Sequence, residues 1–292
     1  MNKNNAVVFV FVFVFVLIII AIVFNSHKYD YFMDSINKNN VIRKEQEVKL
    51  GNYFDKMEAY VICMSDEIYK ESRKVIEPYL VVDSVMNTVI PLKKFDAIKG
   101  AELGHLVNNK NILTIGALYD VTMTNSRRSH AELGTKNAIG CYLSHVTLWN
   151  KLIESNKKGF FIFESDASCY QEILTTTKKF LDQTMDNEPH ILFFGNYGAA
   201  LNDSIASIVK IESRFYGLHA YYITRKGAEI CLKHAFPIEQ QIDSFLSDLL
   251  LLSMNSDSGV EPINFYTIKL CLQNKGIPTT IQTKKVMCDV SI

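Results

Sequence analysis

The chain has no excess charge of either sign: 31 Lys and Arg residues stand against 31 Asp and Glu residues over 292 positions. That balance leaves no electrostatic footprint for a nucleic-acid partner. None of its six cysteines forms a C-x-x-C pair, which argues against a structural zinc site. They are spread through apolar segments as candidate buried thiols; if the body is extracytoplasmic some of them pair, with fifteen possible connectivities. There is no P-loop, no G-x-G-x-x-G element and no nucleophile elbow, so the usual signatures of nucleoside triphosphatases, dinucleotide enzymes and serine hydrolases are missing. No internal repeat is present.

Polar side chains are also missing from Ala6 to Phe24, nineteen residues in a row. As a helix this run spans about 28 Å, close to the hydrocarbon thickness of a bilayer. The run is longer than the core of a signal peptide and ends Ile22-Val23-Phe24-Asn25, without a small-x-small cleavage site. The Val-Phe alternation from Val8 to Val16 has high β propensity, but a lone strand cannot satisfy its backbone in lipid, so helix is expected there. Residues 1–24 are therefore read as an uncleaved transmembrane signal-anchor, giving a single-pass membrane protein that contacts the bilayer through residues 6–24. Lys3 and the amino terminus flank one side, and Lys28, Lys38, Arg43 and Lys44, mixed with Asp30 and Asp34, the other, so the positive-inside rule does not fix orientation. Residues 25–57 are polar and charged and read as a stem; residues 58–292 are the globular domain.

The body alternates strand-like and helix-like segments, the pattern of an α/β fold. Short apolar runs at Tyr60–Met64, Phe160–Phe163, Ile191–Phe194 and His219–Ile223 predict buried strands. Ile139, Tyr142, Leu143, Val146, Trp149 and Ile153 recur at helical spacing. Thr224 is placed to cap a helix from Arg225 to about His234. A further helix is expected from about Ile238 to Met254, and a late strand within Phe265–Leu270.

The most informative stretch is Phe160-Phe161-Ile162-Phe163-Glu164-Ser165-Asp166. An apolar strand runs straight into two carboxylates one residue apart. Ligands of open α/β sheets bind beyond the carboxyl ends of such strands, and carboxylates on that turn can hold one hard cation against a diphosphate. Taken alone, an acid-x-acid triplet is more often a solvated turn. His219 begins a strand after Gly217 and is a candidate third metal ligand, since imidazole suits a borderline cation such as manganese. A histidine inside a helix, such as His145, is most often a core residue; the functional alternative points Ser144 and His145 at a donor substrate. Asp243, flanked by Ile242, Phe245 and Leu246, is a candidate half-buried general base. Glu239 is expected one turn earlier on the same helical face.

The order of these motifs resembles glycosyltransferase family 25. Tyr60-Val61-Ile62 is similar to the family's opening strand. Ile139-Gly140-Cys141-Tyr142-Leu143-Ser144-His145 with Trp149 resembles its I-G-C-x-x-S-H-x-x-x-W signature. Phe163-Glu164-Ser165-Asp166 resembles its L-E-D-D motif, and Gly217-Leu218-His219-Ala220-Tyr221 with Arg225-Lys226-Gly227-Ala228 its G-x-H-A-Y…S-x-x-G-A block. The resemblance implies a GT-A type, Rossmann-like mixed sheet. It also implies transfer of galactose or glucose from a UDP-hexose donor to a glycan or protein acceptor, as in lipooligosaccharide biosynthesis or collagen glycosylation. Mn2+ or Mg2+ would be held by Glu164, Asp166 and His219, donor contacts would come from Ser144, His145, Glu164 and Asp166, and Asp243 would be the catalytic base. The anchor then places the body on the lumenal or extracytoplasmic side. Departures stand at Ser165, in the middle of the acidic motif, and at Met64-Ser65-Asp66-Glu67, where the family carries L-D-R-x-x-D-R. They leave an alternative reading: an inactive family member serving as a membrane-anchored binding or interaction protein.

Overall fold

The computed structural model describes residues 53–82, 88–104, 109–123, 129–183, 189–198 and 208–273. The expected anchor at 1–24 and the stem up to residue 52 lie outside the described residues. Among the described residues no helix is long and apolar enough to cross a membrane.

In chain order the elements are β1 (Met57–Cys63), α1 (Asp66–Ile76), β2 (Val81–Val82), β3 (Thr88–Val89), β4 (Leu92–Asp96), α2 (Ile115–Met123) and α3 (Lys136–Glu154). They continue with β5 (Gly159–Glu164), β6 (Ala167–Cys169), α4 (Ile173–Gln183), β7 (Ile191–Phe193), β8 (Val209–Lys210) and β9 (Ala220–Thr224). The last are α5 (Arg225–His234), α6 (Ile242–Ser253), β10 (Phe265–Thr267) and β11 (Cys271–Gln273).

Seven strands form one mixed sheet in the order β4-β1-β5-β9-β7-β10-β8. The β1–β4, β1–β5 and β7–β10 pairings are parallel, while β9 runs against both β5 and β7, and β8 against β10. The period-2 alternation of each strand explains why both faces are apolar. Tyr60, Ile62, Phe160, Ile162, Phe193, Tyr221 and Ile223 pack into a core shared with α2, α3, α5 and α6. Ala59, Val61, Phe161, Phe163, Leu192 and Tyr222 point the other way, into a core with Ile76, Ile173, Leu174 and Phe180. Burial of each large side chain stabilises the fold by about 1.5–3 kcal/mol, so the apolar run of β5 is needed on both sides of the sheet.

Caps set the helix starts. Ser65, Thr135 and Thr224 each accept a backbone N–H from the first turn of α1, α3 and α5. The expected helix from Ile238 begins only at Ile242: Phe236–Pro237 is a cis peptide, and Ile238 pairs with Leu113 in an isolated bridge. Glu239 is therefore exposed in a loop and shares no helical face with Asp243. The strand expected within Phe265–Leu270 stops at Thr267. Two buried-thiol candidates form a disulfide: Cys169 and Cys271 face each other across the antiparallel β6–β11 ribbon. Cys63, Cys141 and Cys231 are free.

Candidate active site

The antiparallel run of β9 against β5 builds the site. It sets Phe163 opposite Ala220, and Glu164 N donates to His219 O at 2.8 Å. The end of β5 and the start of β9 therefore lie side by side, although their motifs are fifty-five residues apart in sequence (219 minus 164). Gly217 (φ 87°) makes the turn into β9 in a backbone conformation that favours glycine.

Glu164 is the last residue of β5, with its side chain 19% exposed. One of its oxygens, Oε1, lies 3.3 Å from His145 Nε2 and 3.8 Å from Cys141 Sγ. Burial pushes its carboxyl up, but the hydrogen bond from His145, with a smaller one from Cys141, opposes that, and the carboxyl lies below its ordinary value. Asp166 follows on the turn into β6. Its Oδ2 accepts from Gln273 Nε2 at 2.8 Å, while its Oδ1 is buried without a hydrogen-bond partner. Burial, then the charge of Glu164, raises its pKa to about 6.

His219 is 3% exposed. Its Nε2 lies 3.4 Å from Cys271 O, and a carbonyl can only accept, so Nε2 carries the proton. That leaves Nδ1 as a lone pair, and Nδ1 is buried without a partner. Burial also holds the imidazole neutral, its pKa lowered. An orphaned carboxylate oxygen and an orphaned imidazole nitrogen thus sit at adjoining strand ends. The Cβ of any other residue at Gly195 would stand 2.6 Å from His219 Nε2 and 2.4 Å from Cys271 O.

Asp243 lies in the first turn of α6. Its Oδ2 accepts from Gly217 N at 2.9 Å and its Oδ1 from Ser244 N at 2.7 Å. Burial raises its pKa, and the two backbone donors oppose that shift. The thiol of Cys141 is held well above its ordinary value by burial and then by the charges of Glu164, Asp243 and Asp166. All three carboxylates thus act electrostatically on one side chain. Among the described residues no lysine or arginine forms an ion pair with any of them.

The I-G-C-x-x-S-H signature divides between two tasks. Gly140 and Ser144 dock the segment after β4: a Cβ at 140 would meet Ile98 O at 2.1 Å, and Ser144 Oγ accepts from Ile98 N at 2.9 Å while donating to Gly140 O. Cys141 and His145, each one residue further round α3, face Glu164. Ser144 and His145 are both 0% exposed, so neither presents a surface to a donor substrate here.

A chain of hydrogen bonds fixes the His145 ring. Trp149 Nε1 can only donate, and it donates to Tyr221 Oη at 3.0 Å. Tyr221 Oη lies 2.9 Å from His145 Nδ1. The arrangement that satisfies every atom has the Tyr221 hydroxyl donating to Nδ1 and the Nε2–H donating to Glu164. Sequence reasoning treated Trp149 and Tyr221 only as parts of motifs; their indole and phenol were the signal, since both need partners when buried.

The sequence profile of "Glycosyltransferase family 25 (LPS biosynthesis protein)" matches residues 57–246. The chain belongs to glycosyltransferase family 25. The match spans β1 to the first half of α6, and so includes Glu164, Asp166, His219 and Asp243. No curated protein matches this family 25 glycosyltransferase. Among solved structures, the inositol-1-phosphate CTP transferase from T. maritima is similar over 74% of this chain and 88% of that one, at 12% identity and a TM-score of 0.31. A likeness that low carries no argument.

Proposed function

We propose that this family 25 glycosyltransferase moves a hexose, galactose or glucose, from a UDP-sugar to a hydroxyl of a glycan or protein acceptor, on a GT-A type sheet. The observation that carries this reading is the pair of buried, partnerless ligand atoms, Asp166 Oδ1 and His219 Nδ1, on the turn after β5 and at the start of β9, both on residues that feel the charge of Glu164. Two carboxylates and a neutral imidazole fit Mn2+ or Mg2+ better than a soft ion. Bound there, the cation would supply Lewis-acid stabilisation of the departing UDP. The chain's own residues do the rest. Glu164 and Asp166 provide the negative charge that draws the cation, and His219 contributes Nδ1. Asp243 accepts the proton of the acceptor hydroxyl, its raised pKa bringing it closer to the operating pH of a general base. The serine at position 165 leaves both flanking acids in place; its backbone carbonyl is held by Ser72 Oγ at 3.1 Å.

The body is assigned to the extracytoplasmic side of a membrane, anchored through residues 6–24. The Cys169–Cys271 disulfide supports this, because such bonds persist in oxidising compartments. The test is a donor screen of the purified chain with UDP-galactose and UDP-glucose. Release of UDP is followed and products are identified by mass. Cation-dependent UDP release from one of them is expected. UDP binding without any turnover would instead establish the inactive, binding-protein reading.

A further inference from the structure

Cys141 has no part in the proposed transfer. The hydrogen-bond chain from Trp149 through Tyr221 and His145 to Glu164 is complete without it, yet its sulfur faces the same carboxylate oxygen. The three ligand atoms, Cys141 Sγ, His145 Nε2 and a Glu164 oxygen, all lie within 4.8 Å of one another. Two of the separations are 3.3 Å and 3.8 Å. A tetrahedral ion with zinc-like bonds to sulfur, nitrogen and oxygen holds its ligand atoms about 3.3–3.6 Å apart. Cys141 and His145 stand at i and i+4 on α3, so helix geometry keeps them together. Glu164 is brought to them by the sheet.

We propose that Cys141, His145 and Glu164 form a binding site for a thiophilic divalent cation of the zinc class, with one open coordination position. A thiol does not suit magnesium or manganese, whereas sulfur and imidazole together suit zinc. This is therefore a different ion from the one drawn by Glu164, Asp166 and His219. The two sites share Glu164 and exclude each other. That exclusion rests on the function proposed above; the thiophilic site itself does not.

The proton balance is simple. Binding removes the Cys141 thiol proton, and metal coordination deprotonates such thiols outright. On His145 the Nε2 proton leaves and Nδ1 gains one, so the ring stays neutral. Tyr221 Oη then accepts from Nδ1–H as well as from Trp149 Nε1–H, which its two lone pairs allow. The net release is one proton per ion. The phenol gives up its own bond to Nδ1, and in exchange the metal-bound ring gains the donor contact that orients such ligands.

The test uses Co2+ as the probe, added to the full chain in detergent. The expected result is a sulfur-to-cobalt charge-transfer band in the near ultraviolet that saturates at one equivalent and is displaced by Zn2+. The band should be absent from Cys141→Ser and retained by Asp166→Asn, which keeps all three ligands. Zn2+ should also displace Mn2+ from the wild type competitively, more strongly as its concentration rises, and at lower Zn2+ than is needed with Cys141→Ser, where Zn2+ can only compete for the oxygen and imidazole ligands directly. No band in the wild type, or an unchanged band in Cys141→Ser, overturns the site. A band with unaltered Mn2+ affinity overturns the exclusion. Failure of the function proposed above shows differently: the cobalt band remains, while UDP release shows no need for any cation.

Discussion

Asp166 and Gln273 meet across the ribbon formed by β6 and β11, with Gln273 Nε2 donating to Asp166 Oδ2 at 2.8 Å. Two residues along, the ribbon is closed by the Cys169–Cys271 disulfide, and Cys271 O is the acceptor facing His219 Nε2. Two proposed metal ligands thus depend on one two-stranded ribbon, which a pair of strands alone would hold poorly in water.

The disulfide should therefore matter for cation binding as well as for stability. Replacing both cysteines by serine is expected to destabilise the chain by about 2–5 kcal/mol. Mn2+ affinity should fall by about 10–100-fold, the usual effect of disturbing groups that orient ligands. Melting and Mn2+ titration of the double variant check both.

Asp166→Asn should abolish transfer while stabilising the cation-free protein at neutral pH. The native carboxylate is penalised by burial and by Glu164. Its neutral replacement removes that penalty and still accepts from Gln273. A rise in melting temperature of about 2–4 °C, the shift from about 1 kcal/mol in a domain of this size, is expected without metal.

The raised pKa of Asp166 also sets a pH dependence. Between the ordinary 3.8 and about 6 the folded chain binds more protons at this site than the unfolded chain does. Stability of the cation-free form therefore falls as pH rises through that window. Cation binding runs the other way, because the ion competes with the proton. Mn2+ affinity should drop about tenfold per pH unit below about 6 and level off above it. Titrations across that range read the break point directly, and Asp166→Asn should erase it.

Asp243→Asn should lower transfer by about 10²–10⁴-fold, with UDP-sugar affinity unchanged. Asp243 also holds Gly217 N and Ser244 N, and an amide has one acceptor oxygen for two donors. A stability loss of about 1–3 kcal/mol should accompany the variant, so rates are compared well below its melting temperature. Lost UDP binding would move Asp243 into the donor site.

The strands of the core were legible because their apolar runs are continuous and end at glycine or acid, as at Phe160–Phe163 and Ile191–Phe194. Thr224 was legible as a cap from its chemistry. The start of α6 was not, because the hydrophobic pattern runs on through Ile238, while the chain there turns at Phe236–Pro237 and pairs with Leu113. The acid-x-acid turn could be placed at a strand end from sequence. Its neighbours could not, since β9 pairs antiparallel to β5 and only that pairing brings His219 to Glu164. The His145 signature was visible, but its aim was not. Helical spacing gives the face, and only the sheet shows that this face meets a buried carboxylate instead of solvent.

Glu164, Asp166 and His219 are proposed to hold a hard divalent cation for a UDP-sugar. The most direct measurement is an electron paramagnetic resonance titration of free Mn2+ with the full chain, with and without UDP. One bound Mn2+ per chain is expected, tighter when UDP is present, and lost in Asp166→Asn. UDP binding that is the same with Mn2+ as with a chelator, in a wild-type chain that binds no Mn2+, would contradict that assignment.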